Sequence, residues 1–339
     1  MSTVLVDARE YDAFDPEATQ KYGASESLVL RIAAAMVADG YRVDGIWTGD
    51  EEKFVDGVRW WPRNKHPTKC DILISCEWLI NVHEFEFKKL FVPLNKINPV
   101  LANREADVDG FIVFTEEHKR QLLLYTPTIR EDQVVIIPAG VATGEKLRKV
   151  KHRMIWCHTP ERGLLHIARQ WPAILKQVPD ATIAMTYGLE RSWQTNKWQM
   201  NTIAEALAEC MVWKERYADS IVDIGRATQA DVRKAQAQAE VMSYPCDAPA
   251  PGIVTTFATM ECAAAGATLL VPDLEGFPEE FGSIGIFLPI PIDEQQWVDM
   301  TVELLLDEEQ KKKSAKAGRE WAATRPWSEH RRLWQEAVA

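Results

Sequence analysis

Short continuous apolar runs alternate with longer segments of helical spacing from one end of the chain to the other. Val4 to Asp7, Arg42 to Trp47, Asp71 to Cys76, Gly110 to Phe114 and Val134 to Ile137 read as strands. Asp71 to Cys76 and Gly110 to Phe114 are continuous apolar runs, which suit parallel strands buried on both faces. Between the first two, Ser25 to Asp39 sets Leu28, Ile32, Ala33, Met36 and Val37 along one side of a helix, and Gly40 ends it. Thr115, followed by Glu116, Glu117 and His118, opens another helix with an N-cap signal. The pattern then repeats. Strands are predicted at 154–157, 182–186, 221–224, 241–244, 268–271 and 285–288. Helices are predicted at 164–177, 196–217, 229–237, 255–265, 294–305 and 308–324. A last helix restarts after Pro326 and is anchored by Trp327 and Trp334.

Two such βα arrays predict two doubly wound α/β domains, and 339 residues suit two domains of roughly 150 each. Between them, Thr143 to Arg153 is polar and basic and reads as a solvated interdomain linker. The predicted domains are 1–148, 149–325, and a closing helix at 326–339. Lys and Arg number 39 against 50 Asp and Glu, a net −11, which disfavours broad adhesion to nucleic acid or to an anionic membrane. The first residues read as a β-strand and not as a signal peptide. No uncharged run reaches the roughly 18–20 residues that span a bilayer. The six cysteines form no C-x-x-C pair and read as free thiols of a cytoplasmic protein.

Several chemistries lack their signatures. There is no G-x-G-x-x-G, no P-loop, no H-E-x-x-H and no G-x-S-x-G, so the usual dinucleotide, phosphoryl-transfer, zinc and hydrolase-elbow sites are not indicated. What stands out is the unit from Met154 to Gly188: a strand, a loop carrying His158, Arg162 and Gly163, a helix, and a second strand. A guanidinium at the mouth of such a unit, beside a helix N-terminus, suits an anionic ligand such as a diphosphate. Glu261 interrupts an otherwise apolar helix between Met260 and Cys262, and a carboxylate in such surroundings requires a partner. Trp60 and Trp61 read as a strand edge packing into a core. The acidic run Glu275 to Glu280 reads equally as a solvated turn and as a loop near a ligand.

Taken in order, these pieces resemble the retaining GT-B glycosyltransferases often called group 1 or family 4. Gly23-Ala-Ser-Glu26 resembles the Gly-Gly-x-Glu loop after the first strand, and Ile137-Pro-Ala-Gly-Val141 the Pro-Asn-Gly-Val turn. Thr159-Pro-Glu-Arg-Gly-Leu164 resembles the Arg/Lys-Gly loop, Asp223-Ile-Gly-Arg226 a strand end with Gly-Arg, and Tyr244-Pro245 the next strand end. Met260-Glu-Cys-Ala-Ala-Ala-Gly266 resembles Met-Glu-Ala-x-Ala-x-Gly. The resemblance implies two Rossmann-like domains facing a central cleft, with a C-terminal helix crossing back. It implies a metal-independent hexosyltransferase that moves a sugar, with retention, from a UDP- or GDP-sugar to a hydroxyl acceptor. That acceptor would be a glycan, a lipid-linked or a small molecule, and no cofactor is implied beyond the donor.

By the same resemblance, Arg162 neutralises the donor diphosphate and Gly163 lets backbone approach it. His158, Arg226 and the 252–255 segment (Gly252, Ile253, Val254, Thr255) line the donor, Glu261 holds the ribose, and Gly23 and Ser25 lie near phosphates or acceptor. His83 and His118 are the candidates for an acid or base from the first domain, with His118 able to be a plain surface residue. One departure is clear. The family's Glu-x7-Glu pair would begin eight places before Glu261, and Ile253 stands there. That leaves open a non-catalytic nucleotide-sugar-binding protein. Glycosylation of modified DNA bases is a second alternative, opposed by the net charge and kept open by the basic stretch Lys146 to Arg153. A dehydrogenase is a distant third.

Overall fold

The computed structural model describes the whole chain except residues 1, 12–13, 18–23, 96–100, 102, 159, 161, 187–188, 190–199, 226–227 and 247–255, together with the side chains of 24 and 200–205. The chain divides into two compact units. One comprises Met1–Gly140 with Trp327–Ala339, the other Val141–Ala250 with Thr256–Pro326.

The first unit is an eight-stranded sheet. Its strands are β1 (Thr3–Asp7), β2 (Arg42–Trp47), β3 (Lys53–Val55), β4 (Val58–Pro62), β5 (Ile72–Ser75), β6 (Lys89–Pro93), β7 (Gly110–Val113) and β8 (Val134–Ile136), in the order β3-β4-β2-β1-β5-β6-β7-β8. Helices α1 (Ala24–Ala38) and α2 (Glu116–Tyr125) belong to this unit. Among the described residues every pairing of these strands is parallel except β3 with β4. The apolar runs account for this. β5 and β7 are buried at every position, as strands covered on both faces must be. Leu5, Leu73, Leu90, Val92, Phe111 and Leu122 form one continuous core. The β3–β4 hairpin is absent from the apolar pattern. It turns on Asp56 and Gly57, both at positive φ (50° and 83°), the two-residue geometry that an Asp-Gly pair favours. Trp60 of β4 is buried, its ring lying where a side chain on Gly45 would be, so it belongs to the core, while Trp61 is half-buried and donates to Asp44 at 2.8 Å.

The second unit is a six-stranded, all-parallel sheet of β9 (Arg153–Trp156), β10 (Thr182–Met185), β11 (Ile221–Asp223), β12 (Val241–Ser243), β13 (Thr268–Pro272) and β14 (Gly285–Leu288), ordered β11-β10-β9-β12-β13-β14. Around it run α3 (Leu164–Gln177), α4 (Met200–Arg216), α5 (Gln229–Gln238), α6 (Phe257–Ala264), α7 (Phe277–Phe281), α8 (Glu294–Leu306) and α9 (Glu308–Ala323).

Two expectations are corrected here. The basic stretch is not wholly solvated. Val150 N–H donates to the Gln238 carbonyl, and the Lys149 ammonium reaches the carbonyls of Ala239 (2.6 Å) and Ala265 (3.0 Å), just past the C-terminal ends of α5 and α6. A cation at helix C-termini is where the dipole favours one, and burial pulls its pKa down to about 8. The acidic turn is not wholly solvated either. Glu280 is buried, paired with Arg325 at 3.1 Å, and raised in pKa by that burial.

The chain then returns to the first unit as α10 (Trp327–Val338), which packs on α1. His330 fastens it. Nδ1 lies 2.9 Å from the Pro138 carbonyl, and Nε2 accepts from the Trp334 indole at 3.1 Å. Both contacts fit one neutral tautomer, and burial holds the ring's pKa below its ordinary value. An unfolded histidine binds a proton below about pH 6.5 while this one resists it, so stability is lost as pH falls through that value. Hydrogen exchange of the α10 amides should therefore accelerate between pH 7.5 and 5.5, after correction for intrinsic rates, and His330→Gln should remove that dependence. Equal pH dependence in both proteins would contradict the assignment.

Candidate functional site

In open parallel sheets ligands lie beyond the carboxyl ends of the strands, where the strand order reverses. In the second unit that point falls between β9 and β12. The residues leaving β9 are Cys157, His158 and then Arg162 and Gly163; those leaving β12 are Tyr244, Pro245 and Cys246. The loop bearing the arginine and the end of β12 are fitted to each other at two places.

The first is backbone against backbone. Gly163 caps α3 at φ 87°, a left-handed conformation. A Cβ there would stand 2.7 Å from the Pro245 carbonyl carbon and overlap its oxygen. Only glycine satisfies both constraints. The second is ring against ring. His158 is buried between Trp156 (centroids 5.3 Å apart) and Tyr244 (4.3 Å). Burial first, and the nearby Arg162 charge second, push its pKa well below the ordinary histidine value, so the ring is neutral.

Arg162 therefore stands immediately before the N-terminus of a fourteen-residue helix whose first turn, Leu164 to Ile167, carries no acid. A cation beside the positive end of a helix is unfavourable on its own. A bound anion reverses that balance, because the guanidinium and the first-turn amides then act on it together.

Glu261 lies on α6, where the Gln236 amide of α5 donates to its carboxylate at 3.0 Å. The half-buried carboxylate thus has the partner its apolar neighbours in the sequence demanded. Its neighbour Cys262 meets Cys157 at the end of β9, Sγ to Sγ 3.7 Å, so α6 and the arginine loop share one packed base. All six cysteines are free thiols, five of them buried.

The first unit has its own reversal point, between β1 and β5. Asp7 and Arg9 at the end of β1 form a buried pair at 3.0 Å, and Arg9 also reaches Glu84 at 2.7 Å. At the end of β5, Glu77 is buried at positive φ (66°) and accepts from Ser25 (3.4 Å), while Asn95 donates to the Ser25 hydroxyl (2.7 Å). Ser25 at the start of α1 thus faces a carboxylate, which favours a hydroxyl ligand over a phosphate there. No local pattern in the sequence marks Asn95, and the one signal for Glu77 is the abrupt end of the apolar run at Cys76.

The two histidines of this unit differ. His83 is exposed on a short 3₁₀ turn (Val82–Glu84), its Nδ1 3.0 Å from the Ile80 carbonyl. His118 is not a surface residue. It is fully buried in the first turn of α2, where Thr115 caps its N–H at 3.0 Å and its Nδ1 accepts from the Phe114 N–H at 3.4 Å. Gly23, Arg226, Gly252, Ile253, Val254 and Thr255 lie outside the described residues. Among the described residues no group of three His, Cys, Asp or Glu side chains is placed to hold a metal ion, and no helix is long and apolar enough to cross a membrane.

Two parallel-sheet, Rossmann-like units with a closing C-terminal helix constitute the GT-B architecture, and solved structures with that fold match the chain from end to end. Sucrose-phosphate synthase from Thermosynechococcus elongatus superposes with a TM-score of 0.75 at 14% identity, covering 100% of this chain and 98% of its own. HepE of Anabaena, solved in complex with UDP-glucose, gives 0.72 at 12%, covering 100% and 99%. WaaG, a glycosyltransferase involved in lipopolysaccharide biosynthesis, gives 0.66 at 13%, covering 98% of each. No protein-family model and no curated protein matches the sequence.

Proposed function

We propose that the protein is a glycosyltransferase that binds a nucleotide sugar at the second unit's reversal point and transfers the sugar to an acceptor hydroxyl held by the first unit. The observation that carries the reading is the Arg162–Gly163 loop, set against Pro245 with its cation at the start of α3. The GT-B fold supports it, and so does the UDP-glucose complex of Anabaena HepE.

In the reaction the bond between the anomeric carbon and the diphosphate oxygen breaks, and its electron pair stays with the phosphate. Negative charge builds there, and Arg162 with the α3 amides stabilises it. The acceptor oxygen forms the new bond and gives up its proton. Glu261, oriented by Gln236, accepts from ribose hydroxyls. Ser25, Glu77 and Asn95 orient the acceptor hydroxyl. His83, accessible where His118 is enclosed, is the histidine able to exchange a proton with it. Retention of configuration rests on the family resemblance in the motifs, and no step above needs a metal ion. The domains assigned to donor and acceptor, 149–325 and 1–148, follow the same reading.

A thermal-shift panel of UDP-, GDP-, ADP- and TDP-sugars tests it. A specific donor should raise the unfolding midpoint through linkage, by an amount corresponding to about 2.7 kcal/mol at a hundredfold excess over Kd. An unchanged midpoint with every nucleotide would contradict the reading.

A further inference from the structure

We propose that Arg9 is the positioning residue for His83: through Glu84 it holds the turn that presents the histidine's Nε2 to the acceptor. This rests on the glycosyl-transfer reading above and adds to it a residue that touches no substrate. A histidine on a three-residue surface turn has a loose ring and two interchangeable tautomers. It takes a proton efficiently only when the accepting nitrogen is the right one and lies within reach of that proton. Both the ring and the turn must therefore be fixed.

The ring is fixed locally. Its Nδ1 lies 3.0 Å from the Ile80 carbonyl, which can only accept, so the neutral ring carries its proton on Nδ1 and its lone pair on Nε2. The turn, Val82–Glu84, has Val82 fully buried and is tied on both flanks to the residues that follow β1. Asn81 donates to the Glu10 carboxylate at 2.6 Å, and Glu84 accepts from the Arg9 guanidinium at 2.7 Å. Arg9 is itself buried and has no freedom. Its Nε and Nη2 grip Asp7 side by side, at 3.1 and 3.0 Å. Its Nη1 serves Glu84 and also meets Nε2 of His66 at 3.2 Å. His66 is set as an acceptor there, because its Nδ1 lies 3.1 Å from the Pro67 carbonyl. The Phe85 ring lies 5.2 Å from the guanidinium carbon. A fork on one carboxylate with a second carboxylate on the remaining nitrogen is a bridge that the planar guanidinium makes and an ammonium does not. Asp7 ends β1, a strand inside the sheet, and Glu84 adjoins His83. The guanidinium thus carries the rigidity of the sheet to the histidine's turn.

The test reads the ring and the reaction separately in Arg9→Lys, Glu84→Ala and Glu84→Gln. Arg9→Ala is set aside because it would leave Asp7 buried and unpaired. The three chosen variants should stay folded, since lysine keeps a charge for Asp7 and Glu84 is exposed. Nitrogen-15 spectra of the His83 imidazole, assigned by loss of the signal in His83→Gln, should show the wild-type proton on Nδ1. In Arg9→Lys and in Glu84→Ala that preference should be lost. In Glu84→Gln, whose amide oxygen still accepts from Arg9, most of it should remain. Arg9→Lys combined with Glu84→Ala should show no more than either alone, because the two residues act as one unit. A tautomer unchanged in Arg9→Lys or in Glu84→Ala would overturn the proposal.

The reaction supplies the second readout. With water as the acceptor, hydrolysis of whichever UDP-, GDP-, ADP- or TDP-sugar is bound should lose about tenfold in kcat in Arg9→Lys and in Glu84→Ala, part of the roughly 10²–10⁴-fold that a positioned base contributes. KM for the nucleotide sugar should not change, because the donor is held by the second unit. If no nucleotide sugar binds or is hydrolysed, yet the tautomer follows the variants as stated, the transfer reading falls and the hold of Arg9 on His83 stands. If a nucleotide sugar is hydrolysed with the same kcat in every variant, the positioning role falls alone.

Discussion

Arg162→Ala should weaken the binding of the nucleoside diphosphate by about a hundredfold and leave the protein folded. The expected size follows from the contacts at stake. A guanidinium that meets a diphosphate makes charge-assisted hydrogen bonds worth roughly 1.5–3 kcal/mol each, and about 2.7 kcal/mol is two decades of affinity. The fold survives because Arg162 is only half-buried and the column beneath the loop, from Trp156 through Tyr244 to Trp321, does not depend on it. Arg162→Lys should recover little, since a single ammonium cannot reproduce the planar fork. Titration of wild type and both variants with UDP and GDP measures this. Equal affinities in all three would remove Arg162 from the site.

The largest effect on stability should come from Gly163→Ala. Two penalties fall on one methyl group. A left-handed conformation costs an L-residue about 1–2 kcal/mol, and the overlap with the Pro245 carbonyl forces the loop or the end of β12 to move. A combined loss of about 3 kcal/mol lowers the midpoint of a unit this size by roughly 6–12 °C. Gly225 supplies the control within the same unit. It also has positive φ (63°), but among the described residues nothing lies within 4 Å of a Cβ built there. Gly225→Ala should therefore show the conformational penalty alone, a drop of about 2–8 °C. If the two substitutions are equally costly, the close approach of the arginine loop to Pro245 is not a constraint on the fold. The Gly163 variant should also lose nucleotide affinity, because its loop carries the arginine.

The sequence was informative where one local pattern decides the outcome. The strands buried at every position, β5 and β7, lie within the continuous apolar runs 71–76 and 110–114, and the predicted span 164–177 coincides with α3. It was less informative where a weak local signal competes with a polar composition. The β3–β4 hairpin is short and half-exposed; the tryptophan pair marks the edge of β4, but three half-exposed residues leave β3 without a pattern of its own. His118 follows two glutamates and looks like a surface residue, yet it is enclosed because Thr115 starts the helix one residue before them. Lys149 sits in a basic run and is nonetheless drawn in by two carbonyls that belong to distant turns.

The candidate site divides in the same way. Arg162 and Gly163 were readable because a cation and a glycine before a helix have a local meaning. Tyr244 was readable only as a strand end. What brings the end of β12 against the arginine loop is that β9 and β12 are neighbours in the sheet, although they are far apart in the chain. Strand order is set by the packing of whole elements and leaves no mark at either residue. The contact of Ser25 with Glu77 is hidden for the same reason, because the pairing of β1 with β5 brings the two together.

The most direct test of the central claim is a crystal structure of the protein soaked with UDP or, if that binds more weakly, GDP. The diphosphate should lie at the start of α3, within hydrogen-bonding distance of the Arg162 guanidinium, with the ribose toward Glu261. A nucleotide held at the end of β1 and β5 instead, or one that leaves Arg162 untouched, would contradict the account.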